Sequence, residues 1–338
     1  MKFSEVHIEG LGVIDAPIRV ESEMLEMGFQ ETLLRLGSKP GLIRALTGVV
    51  ARRFFEDGVQ PSWAATEAAR RAIHDAQIPV GAIGLIISTS VSKDYIEPSI
   101  ASSVHGNLGL SPSCLNFDVG NACLAFLNAM EVASMMIEAR QIQYALVVAG
   151  ESSRLPVEST VRLLAAPTTT EQDLRDHFAT LTLGSGGVAM VLSHRDVARR
   201  PHRFLGGVSR AATHQNHLCR GQKDHMITDA RGLLDAGVEL ARQTFEAARV
   251  EMGWSREALD ALMMHQVGSV HFDTILRTVG LDIEKALVTY AEYGNMGPAS
   301  IPTTLAKAVE QGRVKSGDRI ALMGIGSGLN CAMMEAVW

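Results

Sequence analysis

Residues 114–130 read CLNFDVGNACLAFLNAM, and this stretch decides the fold. Apolar and polar residues alternate over 115–118, which predicts a strand, and we place that strand in the centre of a sheet. A sharp turn at Gly120–Asn121 follows, and the residues after it are apolar on nearly all sides, which predicts a buried helix. Cys123 therefore lies in the first turn of a central helix.

Cys123 is a candidate nucleophile because of this position. The amino end of a helix stabilises negative charge, and such a site favours the thiolate form of a cysteine. The alternative is that Cys123 is a small buried core residue, as many cysteines are. The position alone does not decide between the two.

Two helix-then-strand units of the first half recur in the second half. In one, Leu85 falls on Leu262, an offset of 177 residues, and in the other Ala145 falls on Ala321, an offset of 176. Short apolar strands separated by helical patterns are typical of parallel βαβ units. The sequence therefore predicts an α/β protein made of two similar halves packed about a pseudo-two-fold axis.

A third pair of strands shows that the first half carries an insertion. Aligning Ala189 with Ala332 gives an offset of only 143, so about 33 extra residues lie before the last strand of the first half. The insertion covers about 153–186, and long segments of this kind are usually lids or binding elements. We expect an N-terminal half over 1–197 and a C-terminal half over 198–338.

The composition excludes several classes of protein. With 46% hydrophobic and 20% charged residues the chain can fill a large core, and a net charge of −6 without a basic stretch argues against a nucleic-acid partner. No apolar run is long enough for a membrane span, and the first residues lack a signal-peptide pattern. Four cysteines in a chain of this length do not form a disulfide framework, so we expect a cytoplasmic protein.

Two further loops carry groups that suit a cysteine nucleophile. His265 directly follows a predicted strand, and Asn295 lies in a loop rich in glycine and proline that is the second-half counterpart of the Cys123 turn. His265 corresponds in the first half to Ser88, which precedes the loop that carries Glu97. A pseudo-two-fold axis would bring these turns together.

The stretch MGIGSGLNC at 323–331 is a glycine-rich turn near the end of the chain. It is similar to a dinucleotide-binding loop, but neither a helix nor an acidic residue follows it, so we reject that interpretation. A tight turn that presents backbone N–H groups to an oxyanion fits the sequence better.

Taken together, these motifs resemble the thiolase superfamily over the whole chain, and most closely its β-ketoacyl-ACP synthase III branch. The similar stretches are DVGNACLAF, MMHQV, GNMGPASIP and GIGSG. Within that branch, SVSKDYIEPS at 90–99 is similar to the long-chain acyl-CoA condensing enzymes of olefin biosynthesis. The resemblance implies a five-layered αβαβα sandwich of two duplicated halves.

The resemblance also implies a role for each candidate residue. Cys123 would accept the acyl group, and the backbone N–H groups of Cys123 and Ser327 would form the first oxyanion hole. His265 and Asn295 would form the second oxyanion or enolate site. Glu97 would be the base and would enter the site of the partner subunit, so the active enzyme would be a homodimer.

Glu97 decides which reaction is expected. A condensation that starts with decarboxylation of a malonyl thioester needs no base, whereas two plain acyl thioesters require removal of an α-proton. With Glu97 as the base, the resemblance thus implies a non-decarboxylative Claisen condensation of two long-chain fatty acyl-CoA molecules to a 2-alkyl-3-keto acid. Coenzyme A thioesters would serve as substrates, no cofactor is implied, and other enzymes of an olefin pathway would use the product.

Other functions stay open at this point. The chain could be a decarboxylative synthase III that uses acyl-CoA and malonyl-ACP, an acyl-CoA thioesterase with the same cysteine, or a non-catalytic subunit. Glu97 could also be an ordinary solvated loop acid.

Two groups of residues are weaker candidates. Basic side chains that would contact the CoA phosphates are Arg52, Arg53 and Arg220. One contiguous segment has a spacing compatible with zinc, but such a segment rarely supplies a closed site, so no metal is expected; its residues are His214, His217, Cys219 and His225.

Overall fold

The computed structural model describes all residues from 1 to 338. Its strands are β1 (Val6–Asp15), β2 (Ile18–Glu21), β3 (Ala51–Phe54), β4 (Ile83–Ser88), β5 (Leu115–Asp118), β6 (Tyr144–Glu151), β7 (Gly186–His194), β8 (Arg203–Ala211), β9 (Cys219–Gly221), β10 (Met226–Thr228), β11 (Ala261–Met264), β12 (Arg319–Gly326) and β13 (Asn330–Val337). Its helices are α1 (Ser22–Met27), α2 (Gln30–Arg35), α3 (Leu42–Thr47), α4 (Pro61–Ala76), α5 (Ile100–Leu108), α6 (Ala125–Glu138), α7 (Arg154–Leu164), α8 (Glu171–His177), α9 (Ala230–Met252), α10 (Ser269–Val279), α11 (Tyr290–Tyr293) and α12 (Ser300–Glu310).

Nine strands form one large sheet in the order β11-β12-β13-β8-β1-β7-β6-β4-β5. Within it, β8 and β1 are joined by a single residue pair, His7 with Arg203. The sheet therefore has two parts, with four strands from the second half of the chain and five from the first. Two small sheets, β2 with β3 and β9 with β10, lie outside it.

The internal repeat is visible in the strand register. In the parallel pair β4–β6, Leu85 lies opposite Ala145. In the parallel pair β11–β12, Leu262 lies opposite Ala321. The residues that the sequence comparison aligned thus occupy equivalent places in the two parts of the sheet. The exact boundary between the halves near residue 198 remains a prediction.

Three hydrophobic clusters show how the layers stack. The largest packs α6 and α12 between the two parts of the sheet, and it includes Leu127, Leu305, Val147 and Leu322. A second cluster packs α4 and α5 on the outer face of the first part, and a third packs α9 and α10 on the outer face of the second. The order helix, sheet, helix, sheet, helix confirms the predicted five-layered α/β sandwich.

Helix α4 approaches the sheet closely because the residues on both contacting surfaces have small side chains or none. Its buried face consists mainly of alanine, and glycines face it from the sheet. A Cβ atom at Gly12 would overlap the carbonyl oxygen of Ala68, and one at Gly150 would overlap that of Pro61. Glycine at these two strand positions is therefore a packing requirement.

The strand before Cys123 does not lie in the centre of the sheet. β5 is the edge strand and pairs only with β4, and its side chains are unusually open, with Leu115 50% and Phe117 36% exposed. The prediction of a strand is right, but the prediction of a central strand is wrong. Alternation of apolar and polar residues does not distinguish a strand at the edge of a sheet, which has one side unpaired, from a strand inside the sheet.

The insertion at about 153–186 is folded rather than a plain loop. It contains α7, α8 and a 3₁₀ turn at Phe178–Thr182. A capping box in which Thr170 and Asp173 bond each other's backbone starts α8. No helix of the chain combines the length and the apolar character that crossing a bilayer requires.

Candidate active site

One cavity of about 410 Å³ brings the candidate residues together. Cys123, His265, Asn295 and Ser327 all line it. They come from four separate turns, two of which precede the central helices α6 and α12. The layered fold thus gathers at one place the groups that the sequence keeps up to 204 residues apart.

Cys123 lies in a 3₁₀ turn, Ala122–Leu124, that runs directly into α6. The preceding Ala122 has φ of 46°, a left-handed conformation that a residue with a side chain rarely adopts. The Asn121 amide donates to the Asn128 side chain at 2.7 Å, and its oxygen accepts from Asn330 at 3.2 Å. These bonds tie the strained turn to α6 and to the C-terminal strand, a positioning role that the sequence analysis did not detect.

Burial raises the pKa of the Cys123 thiol to about 12, and the nearby Cys219 and Glu151 act in the same direction. This is opposite to the predicted thiolate. The partial charge at a helix end is about half an elementary charge, and loss of hydration outweighs it in this enclosed site. Burial thus favours the protonated thiol in the resting site.

His265 follows the last residue of β11, and its Nε2 lies 3.1 Å from Oδ1 of Asn295. The Gly297 N–H donates to the same Oδ1 at 2.9 Å. The amide oxygen therefore faces the ring, so Nε2 carries the proton and donates. Burial lowers the pKa of His265 to about 4, which keeps the ring neutral, although its bond with Asn295 opposes this shift.

The Asn295 side chain keeps its amide N–H groups for another acceptor. In the resting site the His265 Nε2–H donates to Asn295 Oδ1. When a developing oxyanion or enolate oxygen lies beside the pair, that N–H is shared with it, and the Asn295 amide N–H groups supply the further donors. The backbone of Asn295 is fixed by the insertion: its N–H donates to Thr182 O at 2.8 Å, and its carbonyl accepts from Gly184 N–H at 2.9 Å. A Cβ atom at Gly184 would overlap the carbonyl oxygen of Tyr293, so glycine is required there.

Ser327 lies in the connection between β12 and β13, where the sequence predicts an oxyanion turn. Gly326 and Leu329 line the cavity beside it. A Cβ atom at Gly326 would come within 3.3 Å of Leu124, so this connection packs against the Cys123 turn. That contact places the Ser327 backbone next to the nucleophile turn.

Glu97 is not part of the cavity of its own chain. It lies on the exposed segment between β4 and α5, next to Tyr95, which is 57% exposed, and Ile96, which is fully exposed. The single chain brings Cys123, His265 and Asn295 together and leaves Glu97 on the surface.

One of the three predicted CoA contacts, that of Arg52, is wrong, and those of Arg53 and Arg220 stay predictions. Arg52 is fully buried and donates to Leu181 O at 2.7 Å and to Ser22 Oγ at 3.1 Å, so its guanidinium is not available to a phosphate. Arg53 lies over the ring of Tyr293, with 5.3 Å from its Cζ to the ring centroid. Arg220 is exposed on β9, and neither it nor Arg53 lines the cavity.

An arginine that the sequence analysis missed does line the cavity. Arg231 belongs to the first turn of α9, and its side chain is 94% exposed, so it marks the open end. A basic residue in this position is hard to recognise in the sequence because its neighbours carry no motif.

The histidine-rich segment does not form a metal site. No group of three or more His, Cys, Asp or Glu side chains is arranged to hold a metal ion. His225 packs against His177 with ring centroids 5.8 Å apart. Cys219 instead lines the active cavity, and the Thr228 hydroxyl donates to its Sγ at 3.5 Å.

The walls of the cavity are mostly apolar. Part of them comes from the insertion, through Phe178 and Ala179, and part from one side of α9. The α9 residues that line the cavity include Leu233, Leu234, Gly237, Val238 and Ala241. Such walls suit a flexible hydrocarbon chain whose reactive end lies near the polar groups.

Comparisons of the sequence with known proteins give consistent matches. The family described as 3-oxoacyl-[acyl-carrier-protein] synthase III matches 117–207, and its C-terminal part matches 250–338. An acyl-CoA:acyl-CoA alkyltransferase of Xanthomonas campestris is 48% identical over 338 residues, and one of Shewanella oneidensis is 36% identical over 351 aligned positions. Both alignments cover 100% of both chains. A β-ketoacyl-ACP synthase III of Bacillus pumilus is 28% identical over 88% of this chain and 89% of that protein.

Solved structures agree with these matches. Cerulenin-bound Xanthomonas campestris OleA superposes with a TM-score of 0.98 at 48% identity, covering 100% of this chain and 98% of that one. A structure of the same protein in which serine replaces a cysteine holds lauric acid and lauroyl-CoA, with a TM-score of 0.97 and coverage of 99% and 100%.

Further structures of that protein carry substitutions of a glutamate or a histidine. The substituted glutamate, cysteine and histidine are 26 and 142 positions apart, as Glu97, Cys123 and His265 are in this chain. The chain therefore belongs to the acyl-CoA:acyl-CoA alkyltransferases, a branch of the synthase III-like condensing enzymes with the thiolase fold.

Proposed function

We propose that the protein joins two fatty acyl-CoA molecules head to head in a non-decarboxylative Claisen condensation and yields a 2-alkyl-3-keto acid. The observation that carries the proposal is the meeting of Cys123, His265 and Asn295 around one largely apolar cavity. The names of the relatives and the lauroyl-CoA bound to one of them support the same reaction class.

The first half-reaction is acylation of Cys123. The sulfur attacks the thioester carbonyl of one acyl-CoA, and the backbone N–H groups of Cys123 and Ser327 hold the tetrahedral oxyanion. The carbon–sulfur bond to CoA then breaks, and the proton of the Cys123 thiol leaves on the CoA thiol. One thioester replaces another, so the step needs no external energy source.

The second half-reaction forms the carbon–carbon bond. Glu97 removes an α-proton from a second acyl-CoA, while the His265 Nε2–H and the Asn295 amide donate to the enolate oxygen. The enolate carbon attacks the acyl-Cys123 carbonyl, and the Cys123 sulfur leaves and takes up a proton. Hydrolysis of the remaining CoA thioester gives the β-keto acid.

Glu97 reaches this site only from a second subunit. β5 is an unpaired edge with open apolar side chains, and the neighbouring segment exposes Tyr95 and Ile96. An exposed apolar edge of this kind is a template for pairing with another chain. We therefore propose a homodimer formed across β5, in which Glu97 of each subunit enters the cavity of the other.

The proposal also covers the substrates, the cofactor, the compartment and the next reaction. The enzyme uses CoA thioesters as substrates and needs no other cofactor. Its four cysteines are free, which fits a reducing cytoplasm. A β-keto acid with a long branch decarboxylates readily, so an enzyme that reduces the keto group would act directly after this one.

An assay with myristoyl-CoA as sole substrate tests the proposal. We expect the β-keto acid, seen by mass spectrometry as the symmetrical long-chain ketone that it gives on decarboxylation, with two CoA released per ketone. Free myristate without ketone would instead indicate a thioesterase. A product that needs added malonyl-ACP, with release of labelled CO₂, would indicate a decarboxylative synthase.

A further inference from the structure

A buried carboxylate fastens the segment that carries Glu97. Glu151 ends β6 and is only 5% exposed. It accepts the Val91 N–H at 2.7 Å, the Ser92 N–H at 3.1 Å and the Ser92 hydroxyl at 2.8 Å. Three donors from two adjacent residues thus converge on one side chain.

Other bonds fix the same part of the segment. The Ser90 hydroxyl accepts the Gly150 N–H at 2.9 Å, and Asp94 accepts the Ser62 N–H at 3.0 Å. Lys93 forms an ion pair with Asp118 of β5. Residues 90–94 are therefore held firmly against the sheet, and we call them the anchored part of the segment.

The tip of the segment has no such support. Residues 95–98 form no hydrogen bond with the rest of the chain, and Ile96 and Glu97 point outwards. The chain is fixed again at Ser99, whose hydroxyl accepts the Ser102 N–H at 3.1 Å and caps α5. The direction of the tip is therefore set by the anchored residues 90–94 before it and by the helix cap Ser99 after it.

Burying the charged carboxylate of Glu151 costs free energy, so this residue needs a function that offsets the cost. Burial raises the pKa of Glu151 to about 7, while the bonds from Val91 and Ser92 and the charge of Lys93 oppose that rise. The two carboxyl oxygens accept all three donors, whereas an amide side chain of the same size has one accepting oxygen and an NH₂ group that donates. Such an amide would leave at least one of the three donors unpaired and residues 90–94 less firmly held.

We infer that Glu151 is a positioning residue for the condensation step. It holds Val91 and Ser92 and thereby aims Glu97 of its own subunit into the cavity of the partner subunit. This inference rests on the proposed function, in which Glu97 removes the α-proton.

Besides its effect on the direction of Glu97, Glu151 has a second effect, on Cys123 of its own subunit, and the test must separate the two. Its charge contributes to the raised pKa of Cys123 in its own subunit. The two effects act in different subunits and on different half-reactions: the first on proton removal next to the partner's cysteine, the second on acylation of its own cysteine.

A mixed dimer separates the two effects. One tagged chain carries Cys123→Ala, and the other carries Glu97→Ala, so a single complete site remains, with its cysteine from the second chain and its glutamate from the first. Glu151→Gln is then added to either chain. We expect about a 10- to 100-fold loss of condensation when it lies in the Cys123→Ala chain, because small displacements of a catalytic group cost this much. In the Glu97→Ala chain it leaves condensation unchanged or raises acylation.

An equal loss in both arrangements, or a loss only in the Glu97→Ala chain, would overturn the inference. Ser92→Ala is the second variant, since it removes the hydroxyl bond to Glu151, and with it the bonds of that hydroxyl to the Ser152 backbone, without touching a buried charge. We expect a smaller loss with the same chain dependence and an unaltered burst of CoA from acylation. If Glu151→Gln fails to fold, Ser92→Ala alone decides, and a loss that does not depend on the chain counts against the inference.

A separate control shows whether Glu97 acts across subunits at all. A mixed dimer without any substitution at Glu151 that does not condense shows that Glu97 does not act across subunits. In that case the placement of Glu97 in the partner's site is wrong, and this inference fails with it, whereas the condensation itself is tested by the unsubstituted enzyme with myristoyl-CoA.

Discussion

His265 and Asn295 meet at 3.1 Å between Nε2 and Oδ1, although 30 residues separate them along the chain. The Gly297 N–H fixes the orientation of the amide, so the ring must donate from Nε2. With the pKa of His265 lowered to about 4 by burial, the pair is a set of neutral donors above that pH. It is built to hold an oxygen that gains charge and not to act as the base.

Asn295→Asp tests that role. The variant keeps the oxygen that accepts from Gly297 and His265, and it loses only the amide donors, which a negative charge replaces. We expect condensation to fall about 10²- to 10³-fold, as for loss of an oxyanion-hole donor, while Cys123 is still acylated. Stopped-flow measurement of the CoA burst and of ketone formation checks this. Asn107→Asp, the same change away from the cavity, is the matched control; a parallel loss of the burst would refute the assignment.

The ionisation of Cys123 gives a pH prediction. Its pKa is raised to about 12, so the thiolate fraction grows about tenfold per pH unit through the neutral and mildly alkaline range. Iodoacetamide alkylation of the Cys123 peptide, followed by mass spectrometry from about pH 6 to pH 10, should rise without a plateau. A free cysteine peptide, which levels off above its pKa of about 8.5, is the control. A plateau near neutral pH would mean that the helix end stabilises the thiolate after all.

Gly237 on α9 controls the room for the acyl chain. A Cβ atom there would meet Ile325 at an ordinary 3.7 Å, so Gly237→Ala should fold and work normally. Gly237→Leu should extend into the cavity and shift kcat/KM towards shorter acyl-CoA substrates by about tenfold, because a few buried methylenes are worth this much. The ratio of kcat/KM for octanoyl-CoA and palmitoyl-CoA measures the shift. An unchanged ratio would show that the acyl chain runs elsewhere.

The edge strand supplies the test of assembly. Leu115→Lys places a charge on the open face of β5, where pairing with a second chain would bury it. We expect a monomer by light scattering, with acylation of Cys123 retained and condensation lost. Val250→Lys, at an exposed apolar residue on α9, should leave the assembly intact. A Leu115→Lys protein that remains dimeric would place the interface on another surface.

Much of the fold follows from patterns that depend only on the local sequence. The offsets of 176 and 177 residues gave the repeat, because equivalent strands keep equivalent apolar residues. The turns that contain Cys123, His265 and Asn295 were recognisable because glycine, proline and strand ends mark them in the sequence. These three residues line one cavity, as the repeat leads one to expect.

What could not be predicted depends on distant neighbours. The burial of Arg52 results from packing against Leu181, and the raised pKa of Cys123 results from the whole enclosed cavity. The bonds of Asn121 and Glu151 join segments that are distant in the sequence, and the motifs in those segments do not show which side chains meet. The edge position of β5 is a property of strand order, which alternation does not encode.

The central claim is that Glu97 removes the α-proton after Cys123 has been acylated. Glu97→Ala incubated with myristoyl-CoA tests it most directly, with intact-protein mass and ketone formation followed together. We expect the acyl adduct on Cys123 to form at the normal rate and to accumulate, and no ketone to appear. Ketone formation by Glu97→Ala at the rate of the unsubstituted enzyme would contradict it.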